Sequence, residues 1–332
     1  MALSGTDAST AIDLARVVVG VAVLGMASLT DLRTRKVPNQ LWYVTAAVGL
    51  GLLVADLALV EDASGWHLLM AFPVAAIFAV TVTGGELWPV MPPDEEDEDR
   101  ELTPEEARVY MADLAVSGVL VAASIAVMVL AADRLGTSDD VYVYITGAVL
   151  TIALALALYL TRALHGGGDA KALMTLAVLF PVQPLGEIFP LLEVPDEMRW
   201  VPFPLGVLLN AALIAALSPL AFVVISAARG HLRFPEALAG YPVPIEQVER
   251  GHHWLMYEAG EGATSVTRRM WPGRSRGAEL ARARALTILM DQREERVYVS
   301  PKIPFMVPLL VGLMLAIFSG NILFGIMWAL LG

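Results

Sequence analysis

Cysteine is absent from the 332 residues. That excludes disulfides, CxxC redox chemistry and thiolate-bound zinc. Histidine is scarce, 5 in all. His252 and His253 have no third ligand at helical or zinc-finger spacing, so they read as a polar surface pair. No metal and no cofactor is expected. Charge is thin: charged residues make up 17% and hydrophobic residues 57% of the chain, with a mean hydropathy of +0.64. Soluble domains are nearer a quarter charged, which argues against an ordinary cytosolic enzyme. Basic charge is the scarcer sign, Lys+Arg 22 against Asp+Glu 34, a formal net charge of −12. That balance argues against a nucleic-acid partner. The first residues lack a basic region and a small-residue cleavage site, so no cleavable signal peptide is expected.

What the sequence does have is apolar runs of about 20 residues, the length that crosses ~30 Å of hydrocarbon. Eight are marked: 12–30, 41–60, 66–83, 114–132, 141–161, 170–189, 203–228 and 305–331. The sixth is interrupted by Pro181, Pro184 and Glu187, and broken helices persist in a membrane only where protein or water satisfies the backbone. The reading is an all-α polytopic membrane protein of about eight transmembrane helices with a small mixed α/β cytosolic subdomain. Residues 1–228 are the membrane core, with an acidic cytosolic loop at about 84–112. Residues 229–302 are the subdomain, and 303–332 are the final helix, part of the core. Within the subdomain, His253–Tyr257 and Val297–Val299 read as strands and Glu279–Met290 as a helix. The run Asp94–Asp99 reads as a solvated loop.

With eight spans and the N-terminus outside, only Arg16, Arg134 and Arg199 of the 22 basic residues fall outside. The excess of Lys and Arg inside sets that orientation. It puts two motifs on the cytosolic face: Asp31-Leu-Arg-Thr-Arg-Lys-Val-Pro38-Asn39, and His165-Gly166-Gly167-Gly168-Asp169-Ala170-Lys171. A carboxylate at the hydrocarbon edge is costly and marks a functional site by default. Two carboxylates brought within a few ångström share a proton, one as base and one as acid. That is the machinery of aspartic proteolysis. The glycines beside Asp169 offer unusual φ/ψ and close approach of an extended substrate. Bland readings stand beside this one. Asp169 is then an N-cap after a glycine turn, and Asp31 an interfacial residue beside Arg33 and Arg35. Lys171 either tunes Asp169 or snorkels to the interface.

These motifs resemble those of the type IV prepilin peptidases, the GxGD membrane aspartic proteases, and most closely the archaeal prepilin and preflagellin peptidases. Asp31 with Val37-Pro38-Asn39 is similar to the family's first-aspartate motif. Gly166, Gly168, Asp169 and Lys171 fall on the fixed positions of GxGDxK. Pro301-Lys302-Ile303-Pro304-Phe305 is similar to the archaeal C-terminal segment. The resemblance covers short stretches; 94–106 and most of 229–300 have no counterpart in it. It implies Asp31 and Asp169 as the catalytic pair, supported by Gly166, Gly168, Lys171 and Pro38. It implies cleavage of the short basic leader from type IV pilin-like and archaellin precursors. It places the enzyme in the lipid bilayer of the cell membrane, multi-pass, with the active site facing the cytoplasm. Bacterial members that methylate the new N-terminus carry CxxC pairs, which a cysteine-free chain lacks, so methyl transfer is not carried over.

Rival readings follow from the same residues. A signal-peptide-peptidase-like protease shares GxGD, but its Tyr-Asp and Pro-Ala-Leu motifs are missing. A transporter with paired membrane acids would place them near the midplane. Asp113 and Glu86 are the rival acids on the inner face, and Asp13, Asp56 and Glu187 read as interfacial toward the outer face.

Overall fold

The computed structural model describes residues 7–60, 63–87, 103–161, 163–164, 166–186, 189, 201–248, 253–270, 276–302 and 304–331. The acidic run Asp94–Asp99, His165, Glu187 and His252 lie outside them. Two compact units form: residues 1–212 with 305–332, and residues 213–304.

The helices of the first unit are α1 (Asp7–Thr34), α2 (Asn39–Leu57), α3 (Gly65–Leu69), α4 (Ala71–Leu87), α5 (Pro104–Leu135), α6 (Asp140–Leu160), α7 (Gly167–Leu179) and the start of α8 (Phe203–Ala216). Six stretches of described helix are long and apolar enough to cross a membrane: 8–34, 39–57, 65–82, 107–135, 140–160 and 203–228. Met306–Phe318 and Ile322–Leu330 meet at 59° and together have the length and apolar character of a span, a broken one or a re-entrant pair. The chain is a polytopic helical membrane protein carrying a small strand-containing region.

The sixth expected span departs from a continuous helix. α7 has 13 residues, only about 20 Å at 1.5 Å per residue. It ends at Phe180 because Pro181 follows, and a residue before proline is driven out of the helical region. The chain still reaches the far end of α1. Asp169 opens α7 near Asp31, and the Leu185 N–H donates to the Asp13 carboxylate at 2.8 Å. Asp13 to Asp31 is about 27 Å of α1, so residues 167–185 traverse that depth as a helix and then an irregular segment of bends and a turn. Protein covers the irregular part: residues 180 and 181 are buried, and the Gln183 amide faces the Ala316 and Ile317 carbonyls at 3.4 Å.

α7 is central because it is apolar on every side. Ala170, Leu173, Met174, Ala177 and Val178, at i, i+3, i+4, i+7 and i+8, pack with α2, α4 and α6. Ala172, Leu176 and Leu179 pack on the other side with α1, α8 and the helix Met306–Phe318. Small residues permit this. A Cβ on Gly49 would lie 3.1 Å from the Leu179 backbone, and one on Gly20 would strike the Phe180 ring at 2.7 Å.

In the second unit, α9 (Ser218–Ala228) precedes β1 (Tyr241–Pro244), β2 (His253–Leu255), β3 (Tyr257–Glu258), β4 (Thr267–Arg268), α10 (Arg276–Asp291) and β5 (Arg296–Pro301). The sheet is antiparallel in the order β1-β5-β2, with Tyr241 opposite Val299 and Leu255 also opposite Val299. Pro242 and Pro244 are tolerated because β1 is an edge. β3 pairs with β4 in a separate ribbon. Ala285 and Leu289 of α10 join Val297, Val299 and Leu255 in a small core. The chain then re-enters the first unit through α11 (Met306–Phe318) and α12 (Ile322–Leu331).

Candidate active site

The first aspartate sits in the last turn of α1. That helix stops where Arg35 takes a left-handed φ of 57° and Pro38 follows. Proline fixes its own φ, forbids the helical region to Val37, and is suited to the position just before a new helix. A four-residue link, 35–38, therefore turns the chain from α1 into α2 and leaves Asp31 at the end of one helix and Asn39 at the start of the next. Arg35, rather than Arg33, is the guanidinium that acts electrostatically on Asp31. The Asp31 carboxylate accepts the N–H of Met306, the first residue of α11. One turn back on α1, the Ser28 hydroxyl donates to the Met306 carbonyl at 3.0 Å. Ser28 and Asp31 thus grip both backbone groups of one residue. The N–H is one of those that the first turn of a helix leaves unsatisfied.

The second aspartate sits in the first turn of α7. Gly166 is the N-cap, with φ −109°, so Asp169 is the third helical residue and not the cap that the bland reading made it. Its carboxylate accepts the Gly166 N–H. Asp31 is the charged group that acts on Asp169. The two sequence motifs are therefore brought to one end of the first unit, each carboxylate half-buried and held by a backbone amide.

The glycines work differently from expectation. None of Gly166, Gly167 and Gly168 has a positive φ, and each faces the protein's own atoms. A Cβ on Gly166 would lie 2.7 Å from Asp169 Oδ2, one on Gly167 3.4 Å from the Tyr159 hydroxyl, and one on Gly168 3.5 Å from Met306 Cε. Only at Gly166 is the approach closer than a side chain allows. The absence of a side chain there makes room for the Asp169 carboxylate itself.

Lys171 joins the motifs directly. Its ammonium donates to Asn39 Oδ1 at 2.9 Å. This is a charge-assisted bond between the residue that ends one motif and the residue that ends the other. Of the two readings of Lys171, snorkelling gives way to this cross-link between α7 and α2. Pro38 supplies the turn that starts α2 at Asn39.

The remaining acids fall elsewhere. Asp113 is on α5, which packs chiefly on α4 and α6. The side chain of Glu86 lies outside the described set. Asp56 was expected at the interface but is 2% exposed, and its carboxylate accepts Arg16 Nη1 at 2.8 Å. Arg16 is 1% exposed and reaches Asp13 at 3.3 Å. This triad, with Arg16 and Asp56 buried and Asp13 partly so, is at the other end of α1. Asp13 and Arg16, one turn apart, were its signal; the 40-residue step to Asp56 carried none. His253 pairs its ring edge-on with Tyr241 at 5.9 Å. No cluster of three metal-ligating side chains occurs among the described residues.

Met306 and Ser28 were not singled out from the sequence. Met306 follows directly on the Pro301–Phe305 segment that was.

No curated protein matches the chain. Residues 233–322 match the family described as Archaeal Peptidase A24 C-terminus Type II. The match spans most of the strand-containing unit, α11 and the first residue of α12. It includes Met306 and does not include Asp31 or Asp169. It falls largely on the region in which motif reading found no counterpart. Over this C-terminal region the chain is similar to the archaeal A24 peptidases.

Proposed function

We propose that this protein is a membrane-embedded aspartic endopeptidase that uses Asp31 and Asp169 to activate water. Its substrates are precursors of type IV pilin-like proteins and archaellins, cut between a short basic leader and an apolar helix at the cytosolic membrane face. The observation that carries the reading is the convergence of the two carboxylates from α1 and α7, each oriented by a backbone N–H.

The chemistry follows from that arrangement. Two neighbouring carboxylates hold one proton between them. The ionised member takes a proton from a water as the water oxygen attacks the peptide carbonyl. The protonated member gives its proton to the leaving amine, and the C–N bond breaks. The new carboxyl leaves on the leader, the new amine begins the mature helix, and the pair returns to its starting protonation. Neither carboxylate has to move far if its amide partner holds it, which is where rate is gained over free acids.

Incubating the purified protein with a precursor bearing a basic leader and an apolar helix tests the reading. Leader removal, seen as a gel shift and located by mass spectrometry, is expected. An intact precursor, with proton-coupled solute uptake into proteoliposomes instead, would favour the transporter reading.

A further inference from the structure

The stretch 203–228 that contains α8 and α9 has 26 residues. At 1.5 Å per residue that is about 39 Å, against ~30 Å of hydrocarbon. The length suffices to cross, and the chain passes from the end of α9 directly into the polar, strand-containing residues after Arg229, so that end is the one that leaves the hydrocarbon. The second unit is built on this end. The Phe222 ring packs on Tyr241 at 6.0 Å, Val223 joins the core of the unit, and the Ser226 hydroxyl donates to the Gly240 carbonyl at 3.5 Å. After α9 the chain turns at Gly230, whose φ is +71°, and the His231 N–H donates back to the Ser226 carbonyl at 3.1 Å. The short turn Glu236–Leu238 then packs against α9. The segment 229–238 therefore runs beside the last turns of the helix, at the depth where the helix leaves the hydrocarbon.

That segment is held in one shape. Tyr298 of β5 accepts the Arg233 N–H at 2.9 Å and donates to the His231 carbonyl. Arg229 donates to the Pro242 carbonyl at 2.6 Å and lies 4.9 Å over the Tyr241 ring. Pinned this way, the segment turns three large apolar side chains outward: Leu232 is 45%, Phe234 63% and Leu238 42% exposed. Arg233 is exposed among them. The next exposed apolar residues are Val224 and Leu220 on α9 and Leu217 at its N-cap, spaced as one helix face turned to lipid. An aromatic and two leucines beside an arginine, continuous with a span, match the headgroup–acyl boundary, where apolar side chains sink and arginine meets phosphate.

We propose that Leu232, Phe234 and Leu238 are an interfacial anchor that seats the second unit on the lipid surface, with Arg233 on the phosphates. The absence of cysteine makes the test direct. Phe234→Cys in the full-length protein is labelled with an environment-sensitive dye and reconstituted into phosphatidylcholine–phosphatidylglycerol vesicles. The dye is expected to lose roughly half or more of its emission to a nitroxide on the shallow acyl carbons, and to be protected from aqueous iodide. Quenching by iodide without nitroxide quenching would place the segment in water and overturn the proposal. Protection from both quenchers would mean that protein, a second copy of the chain, covers it, and would overturn the proposal equally. Leu238→Cys is read in parallel, so a folding defect of one variant leaves the test standing.

Discussion

Gly166→Ala is the substitution in which the structure makes the sharpest demand. The new Cβ would lie 2.7 Å from Asp169 Oδ2 and 3.1 Å from its Cγ. Carbon–oxygen contacts are comfortable at about 3.3–3.5 Å, so the carboxylate must move by roughly 0.6–0.8 Å. The backbone of Gly166 is ordinary, φ −109°, so the side chain moves rather than the chain. An N-cap alanine costs up to about 1 kcal/mol of helix stability, which leaves the protein inserted and folded. A misplacement near 1 Å at a reacting group costs on the order of 100-fold in rate. Gly168→Ala is the internal comparison. Its Cβ would meet only Met306 Cε at 3.5 Å, an ordinary contact with a flexible tip, and alanine is better than glycine inside a helix by ~1 kcal/mol. In a gel-shift assay of leader removal, Gly166→Ala should fall about 100-fold in kcat while Gly168→Ala stays within a few-fold. Equal activity of Gly166→Ala and wild type would show that the position of the Asp169 carboxylate does not matter, and would refute the reasoning.

Other outcomes follow from the same geometry. Lys171→Met and Asn39→Ala each remove the 2.9 Å cross-link and should slow leader removal. In a double-mutant cycle they should be non-additive, with a coupling of about 1–3 kcal/mol. Arg16→Met leaves Asp56 buried without its cation and should cost ~3–5 kcal/mol, read as a lowered thermal midpoint; adding Asp56→Leu should recover much of it, with activity per folded molecule unchanged. His253→Ala removes an edge-on contact to Tyr241 and should leave processing within a few-fold of wild type, measured on the same gel.

The spans were legible because hydrocarbon imposes one length and one polarity. Residues 203–228 and 141–161 come within a residue of the observed helices. α7 was the weak one for a physical reason. Pro181 ends the helix at Phe180, so a hydropathy window averages a 13-residue helix with an irregular tail. What the window misses is that residues 180–185 are sheltered by protein. The strand β5 and α10 showed in the short apolar run Val297–Val299 and in the apolar residues Leu286, Ile288 and Leu289, which are local signals. The convergence of Asp31 and Asp169, 138 residues apart, came from motif context and from both lying at one membrane depth. Lys171 was left undecided because its partner, Asn39, is on another helix. Met306 was invisible because it contributes its backbone, which every residue has, and Ser28 because only its distance to that backbone matters. The glycines were assigned to a substrate because sequence shows missing side chains and not what fills the space.

The most direct measurement of the central claim is leader removal by Asp31→Asn and Asp169→Asn, each alone and together, beside expression level. Asparagine keeps an oxygen to accept the N–H of Met306 or Gly166, so both variants should insert and fold. It neither takes nor gives the proton, so both should be inactive, and the double variant no worse than either single one. Asp113→Asn, Glu86→Gln and Asp56→Asn should still process the precursor. Full processing by either Asp31→Asn or Asp169→Asn would contradict the account.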